Sequence, residues 1–171
     1  MKKVFAIFLA LIIGLSMSAQ IQTKILGFTL GTTTTTTFFN QCETDITRVN
    51  YNTTEEIYSI QDVSFAGYIW NYAYFTFVND KLCTVSFQST DDSIPTSILE
   101  LNWENLKTSI NKKYSQFYLK NSSTSEMNVY SDGITFLFLK YEYLMDCMVL
   151  HLSYTNKDLV HQKVKAAEDD L

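Results

Sequence analysis

Glycine, proline and histidine are scarce in this chain: five glycines, one proline (Pro95) and two histidines (His151, His161) among 171 residues. Scattered glycines leave no loop able to cradle a phosphate, so no nucleotide or other cofactor is expected. A histidine-based metal site is not expected either. His151 and His161 stand ten residues apart, and Cys42, Cys83 and Cys147 are separated by 41 and 64 residues, far from the short spacings of zinc ligands. Basic residues are also in deficit, thirteen against eighteen acidic, for a net charge of −5. That excludes the electrostatic footprint of a nucleic-acid binder. No Gly-x-Ser-x-Gly or cysteine-protease signature is present. What is abundant is apolar: 46% hydrophobic and 15% aromatic residues with only 18% charged describe a packed domain rather than a disordered one.

Met1, Lys2 and Lys3 form a positive start, Val4 to Leu15 is a twelve-residue apolar run, and Ser16-Met17-Ser18-Ala19 supplies small residues before Gln20. This is the pattern of a secretory signal peptide over residues 1–19, with a cut near Ala19. At about 1.5 Å per residue the run covers about 18 Å, short of the roughly 30 Å hydrocarbon core, so no membrane span is expected after cleavage. The first cysteine is Cys42, which leaves no lipid-attachment cysteine near the cut. The expected address is the periplasm or outside the cell. Loss of Lys2 and Lys3 leaves eleven basic and eighteen acidic residues, a net charge of −7.

Residues 20–155 read as a single α+β domain and residues 156–171 as a polar C-terminal tail, in which Lys157 to Leu171 suits a short surface helix or, with Glu168-Asp169-Asp170 at its end, a frayed segment. Lys24 to Leu30 reads as a strand closed by Gly31. Phe38, Cys42, Ile46 and Val49 then recur at helical spacing behind the threonine run Thr32 to Thr37. That run suits a helix cap or, alternatively, a low-complexity linker. From Glu56 to Gln88 the period is two, predicting three strands. The last two, Ile69 to Val78 and Lys81 to Gln88, form a hairpin about Asn79-Asp80. Pairing Val78 with Lys81 sets Thr76 opposite Cys83, Tyr74 opposite Val85 and Tyr72 opposite Phe87. It therefore predicts a core face of Trp70, Tyr72, Tyr74, Thr76, Cys83, Val85 and Phe87.

After the polar break at Pro95, Leu99, Trp103, Leu106, Ile110, Tyr114 and Phe117 trace one helical stripe. Met127 to Tyr143 is extended, with a bulge or turn at Asp132-Gly133, and Cys147 to Tyr154 is its partner. The expected fold is two main helices on one face of an antiparallel sheet of five to six strands. The halves suggest a degenerate tandem of helix-plus-meander units.

The predicted register leaves Phe75, Phe77 and Leu82 on the wet face as an apolar patch near the hairpin tip, the candidate binding surface. Cys42, Cys83 and Cys147 are candidates for one disulfide or for buried small hydrophobes. Cys147 and His151 would lie about 13 Å apart along one strand, beyond contact as a dyad. The adjacent pairs Glu55-Glu56 and Asp91-Asp92 diverge in extended chain, so facing carboxylates could arise only through the fold. Asp92-Ser93-Ile94 resembles the Asp-Ser/Thr-apolar site at which some anaerobic Gram-negative bacteria attach O-glycans, making Ser93 a candidate.

Leu26-Gly27-Phe28-Thr29-Leu30-Gly31-Thr32, Phe65-Ala66-Gly67-Tyr68, Asn79-Asp80-Lys81-Leu82, Trp103-Glu104-Asn105-Leu106, Lys112-Lys113-Tyr114 and Asp169-Asp170-Leu171 resemble small exported proteins of unknown function from gut-type Gram-negative bacteria. The helix-plus-meander order is also similar to the modules of β-lactamase inhibitory proteins and of outer-membrane assembly lipoproteins. Those resemblances imply an α+β module that binds another protein through its sheet, although the missing lipid-attachment cysteine departs from the lipoprotein pattern. The expected function is a noncatalytic periplasmic or secreted module recognising a protein or envelope partner through its sheet face. The alternative is a small exported hydrolase with a fold-assembled carboxylate or Cys-His site. A third expectation is that the patch is covered, by the tail or in a homodimer.

Overall fold

Four two-residue turns give the chain its shape. Leu26-Gly27, Ala66-Gly67, Asn79-Asp80 and Met145-Asp146 each place both residues at positive φ. That backbone matches the right-handed twist of paired strands. The computed structural model describes residues 20–51, 55–90 and 94–169. A small hairpin, β1 (Lys24–Ile25) and β2 (Phe28–Thr29), precedes α1 (Thr35–Gln41). A meander follows of β3 (Thr47–Tyr51), β4 (Glu55–Phe65), β5 (Tyr68–Val78) and β6 (Lys81–Thr90). Then come α2 (Thr96–Tyr114), two 3-10 turns, a second meander of β7 (Met127–Ser131), β8 (Thr135–Leu144) and β9 (Cys147–Asn156), and α3 (Lys157–Asp169). The fold is α+β. Seven strands pair antiparallel in the order β3-β4-β5-β6-β9-β8-β7, so the two meanders join through β6 and β9.

The sheet has more strands than the five to six expected. Asp132 accepts the backbone N–H groups of Ile134 and Thr135, at 3.0 and 2.8 Å, and so turns the extended segment into separate strands β7 and β8. The first helix is shorter than its apolar spacing implies. Its last backbone bond runs from the Cys42 N–H to the Phe38 carbonyl at 2.9 Å, after which Cys42 is extended and the chain proceeds into β3. Ile46 and Val49 therefore lie outside the helix, and Val49 is exposed.

One face of the sheet packs against α1 and α2. Phe38 from α1 and Trp103, Leu106, Ile110 and Tyr114 from α2 share a buried cluster with Ala73, Phe75, Phe77, Leu82, Val85, Phe87, Leu150 and Leu152. Each large side chain removed from water contributes about 1.5–3 kcal/mol before ordering costs, so this layer dominates stability.

The predicted hairpin register fails beyond its first two pairs. Val78 faces Lys81 and Phe77 faces Leu82, but Thr76 then faces Thr84, so Cys83 is an extra, bulged residue. A one-residue slip exchanges the faces of everything beyond it. Leu82, Val85 and Phe87 consequently all point to the core. Cys83 joins Val78 and Leu159 in a separate cluster on the other side. A second slip lies farther along: Asp62 sits at φ 53, and the buried positions change phase between Ile60 and Val63 and between Trp70 and Ala73.

Most of the polar tail is helical. Residues Lys157–Asp169 form α3, whose first turn is capped by Asn156 Oδ1 accepting the Leu159 N–H at 3.0 Å. Leu159 is buried over Val78 and Cys83, so a helix also covers one end of the face opposite α1 and α2. Gly31, at φ 80, passes so close that a Cβ would lie 2.9 Å from Asn156 Nδ2. The left-handed backbone favours glycine, and a side chain there would also have to push the Asn156 amide aside.

Candidate functional site

Phe75, Phe77 and Leu82 are 0%, 1% and 0% exposed, so the patch expected on the wet face is core. The bulge at Cys83 is the reason, since it brings Leu82 and Phe77 into phase with Val85 and Phe87. The uncovered face belongs instead to the residues between them: Tyr72, Tyr74 and Thr76 on β5, and Thr84, Ser86 and Gln88 on β6.

Antiparallel register arranges this face in transverse rows. One runs Ser59, Tyr74, Ser86, Ser153, Phe138 and Val129 across six strands. The next runs Gln61, Tyr72, Gln88, His151, Lys140 and Met127. The Tyr72 and Tyr74 rings stack at 5.8 Å, and Phe136 and Phe138 lie 5.7 Å apart on β8. Between the aromatic pairs is a strip of hydroxyls, with Ser86 bonded to Ser153 at 2.6 Å and Thr84 to Thr155 at 3.1 Å. Helix α3 reaches the end of the face, where Lys163 pairs with Glu55 at 2.7 Å and Lys157 lies 5.9 Å above the Phe136 ring. Farther along, Tyr72, Tyr74, Gln88, Phe138 and Lys140 are half-buried.

Charge on this face gathers around Glu142. Lys140 Nζ lies 2.5 Å from it, and this hydrogen bond holds the Glu142 carboxyl below the usual range against a small opposing effect of burial. His151 Nε2 is 3.1 Å from the other carboxylate oxygen but is not aligned for a hydrogen bond. Burial pulls His151 below its ordinary value; Glu142 resists that fall and Lys140 adds to it. The group is a neutral imidazole beside an ion pair at neutral pH.

Cys147 and His151 are four residues apart within β9, a separation of about 13 Å. Glu55 pairs with Lys163 while its neighbour Glu56 accepts from the Tyr58 hydroxyl, so that acidic pair does not converge. Asp91-Asp92, the candidate Ser93 and residues 1–19 lie outside the described residues. No disulfide joins Cys42, Cys83 and Cys147. Cys83 faces α3, and Cys147 is at the far end of the paired strands β6 and β9. Cys42 lies just after α1, on the opposite side of the sheet from Cys83. No cluster of three or more His, Cys, Asp or Glu side chains able to hold a metal occurs among the described residues. No helix among them is long and apolar enough to cross a membrane.

Comparison with family models, curated proteins and solved structures finds no match to this chain. The polar alternation Thr84, Ser86, Gln88 on β6 and His151, Ser153, Thr155 on β9 is the sequence signal that marks the wet face once the bulge is known.

Proposed function

We propose that this chain is an exported, noncatalytic binding module that recognises a protein or envelope partner through the sheet face centred on Tyr72, Tyr74 and Phe138. The observation that carries the reading is that this face, beyond α3, presents half-buried aromatic rings alternating with hydroxyl and amide groups. Rigid rings with polar neighbours offer contact area at low ordering cost, which is the composition favoured at interface centres. The signal-like residues 1–19 supply the address, periplasm or exterior, and the acidic balance of the remainder favours a partner that is not an anionic surface.

The test is site-specific photo-cross-linking in the native cell. A cross-linker at Thr76 or Gln88 is expected to give a single product that is absent when it is placed at Glu104 on the outer side of α2. Tyr72→Ala/Tyr74→Ala should abolish that product while leaving the circular dichroism unchanged. Equal products from both sides, or none, would overturn the reading. A product of twice the chain's mass would assign the face to a homodimer instead, and light scattering of the purified protein would show it.

A further inference from the structure

We propose that a second site, a cleft between α2 and the β4–β5 turn, binds a small anionic amphiphile: a carboxylate carried on an apolar body. The cleft has a volume of about 330 Å³, within the range of small-molecule sites. Its apolar walls are Phe65 from β4, Leu106 and Ile110 from α2, and Leu152 from β9. At the floor lies Tyr154, 5% exposed, whose hydroxyl makes no hydrogen bond among the described residues. The hydroxyl is open to the cleft, where solvent or a ligand acceptor meets it, and a site that presents such a donor favours a ligand with an acceptor. Burial, reinforced by the neighbouring Tyr114, pushes the Tyr154 phenol upward, so it stays a proton donor at every physiological pH.

The sign of the ligand follows from the lining. Lys113 is the only charged residue among the described residues that line it, in a chain that carries −5 overall. Its ammonium lies 4.9 Å from the Tyr114 ring centroid, which keeps the charge at the cleft rather than free in solvent. An apolar body therefore meets the walls while a carboxylate meets one cation and a neutral phenolic donor. Two other concavities among the described residues have the opposite character: one carries Glu100 and Glu104, and another Glu43 and Asp62.

Titration calorimetry of the purified protein with octanoate and with 1-octanol tests the proposal. Octanoate is expected to bind saturably and about fivefold more tightly than the alcohol, the size of one exposed charge contact. Lys113→Gln should remove that preference without weakening the alcohol. Tyr154→Phe should weaken octanoate, and Ser109→Trp, an exposed position on α2, should fill the cleft and abolish both, with circular dichroism unchanged. Absence of saturable binding, equal affinity for the two probes in the unaltered protein, or binding that survives Ser109→Trp would overturn it.

Discussion

The Phe38 ring on α1 lies 4.7 Å from the Phe75 ring on β5, and both side chains are 0% exposed. Phe28, Tyr58 and Phe77 surround Phe38 at 5.1, 6.0 and 5.5 Å, so one side chain from a seven-residue helix seals the end of the sheet. A helix this short is not stable alone and exists here because that ring is buried. Phe38→Ala and Phe75→Ala should each cost about 3–5 kcal/mol, the usual result of emptying a well-packed aromatic site. Tyr74→Ala, one position along β5 on the uncovered face, should cost no more than about 1 kcal/mol. Urea unfolding of the three variants checks which face is the core; a larger loss at Tyr74 than at Phe75 would reverse the assignment.

The same helix is held at its start by Asp80. The carboxylate accepts the Thr35 backbone N–H at 3.0 Å and its hydroxyl as well, while Thr34 Oγ1 accepts the Thr37 N–H at 3.2 Å. A turn residue in the β5–β6 hairpin thus supplies a negative charge to a helix N-terminus from 45 residues away. Asp80→Asn preserves the left-handed turn, because asparagine tolerates φ 58, but removes the charge. It should cost about 0.5–1 kcal/mol, and faster amide exchange should be confined to the first turn of α1. Exchange accelerated throughout β5 and β6 would instead mean that the turn itself depends on the carboxylate.

Much of the architecture was legible in sequence because it rests on local chemistry. The stripe Leu99, Trp103, Leu106, Ile110 and Tyr114 is buried as its spacing implies, and Asn79-Asp80 makes its turn at positive φ. The uncovered face is not legible in the sequence because it depends on a count of one residue. Nothing in Lys81-Leu82-Cys83-Thr84 announces that Cys83 is bulged, since the alternative pairing keeps Cys83 in step with Val85 and Phe87 and reads equally well. The Asp62 slip is similarly hidden, because it leaves the β4–β5 pairing unchanged while switching which side chains face inward. The docking of α3 is hidden for a different reason: it needs only Leu159, and the partners Val78 and Cys83 are distant in sequence.

That docking makes Cys83 a reporter. The thiol is 2% exposed under α3, and burial pushes its pKa up, with Thr84 and Lys163 opposing. Thiolate is the reactive form, so Cys83 should be alkylated by iodoacetamide far more slowly than the half-buried Cys42. Leu159→Asp should release α3 and raise the Cys83 rate by about tenfold or more, with the main unfolding transition retained, as expected when a satellite cluster opens locally. Mass spectrometry of the modified peptides reads both. Unchanged Cys83 labelling in Leu159→Asp would show that the bulge, and not the helix, shields it.

Acid should weaken the fold in two steps through the residues around Glu142. His151 is held below the ordinary histidine value of 6.5, so under falling pH the unfolded chain takes up this proton before the folded one. Stability is therefore complete above 6.5 and declines below it. Glu142 is held below its ordinary 4.5 by Lys140, so the folded state resists its protonation as well, and a further decline begins near that value. Both contributions have the same sign, and neither predicts a loss between pH 7 and 8. Urea midpoints measured from pH 8 to pH 4 should be level at first and then fall. His151→Gln should delay the onset of the decline to the carboxylate range, whereas Lys140→Met should weaken the later step and reduce the histidine step without abolishing it, because burial is the larger cause of the His151 shift. A decline with the same onset in His151→Gln would assign the acid sensitivity to other groups and leave the imidazole without a part in it.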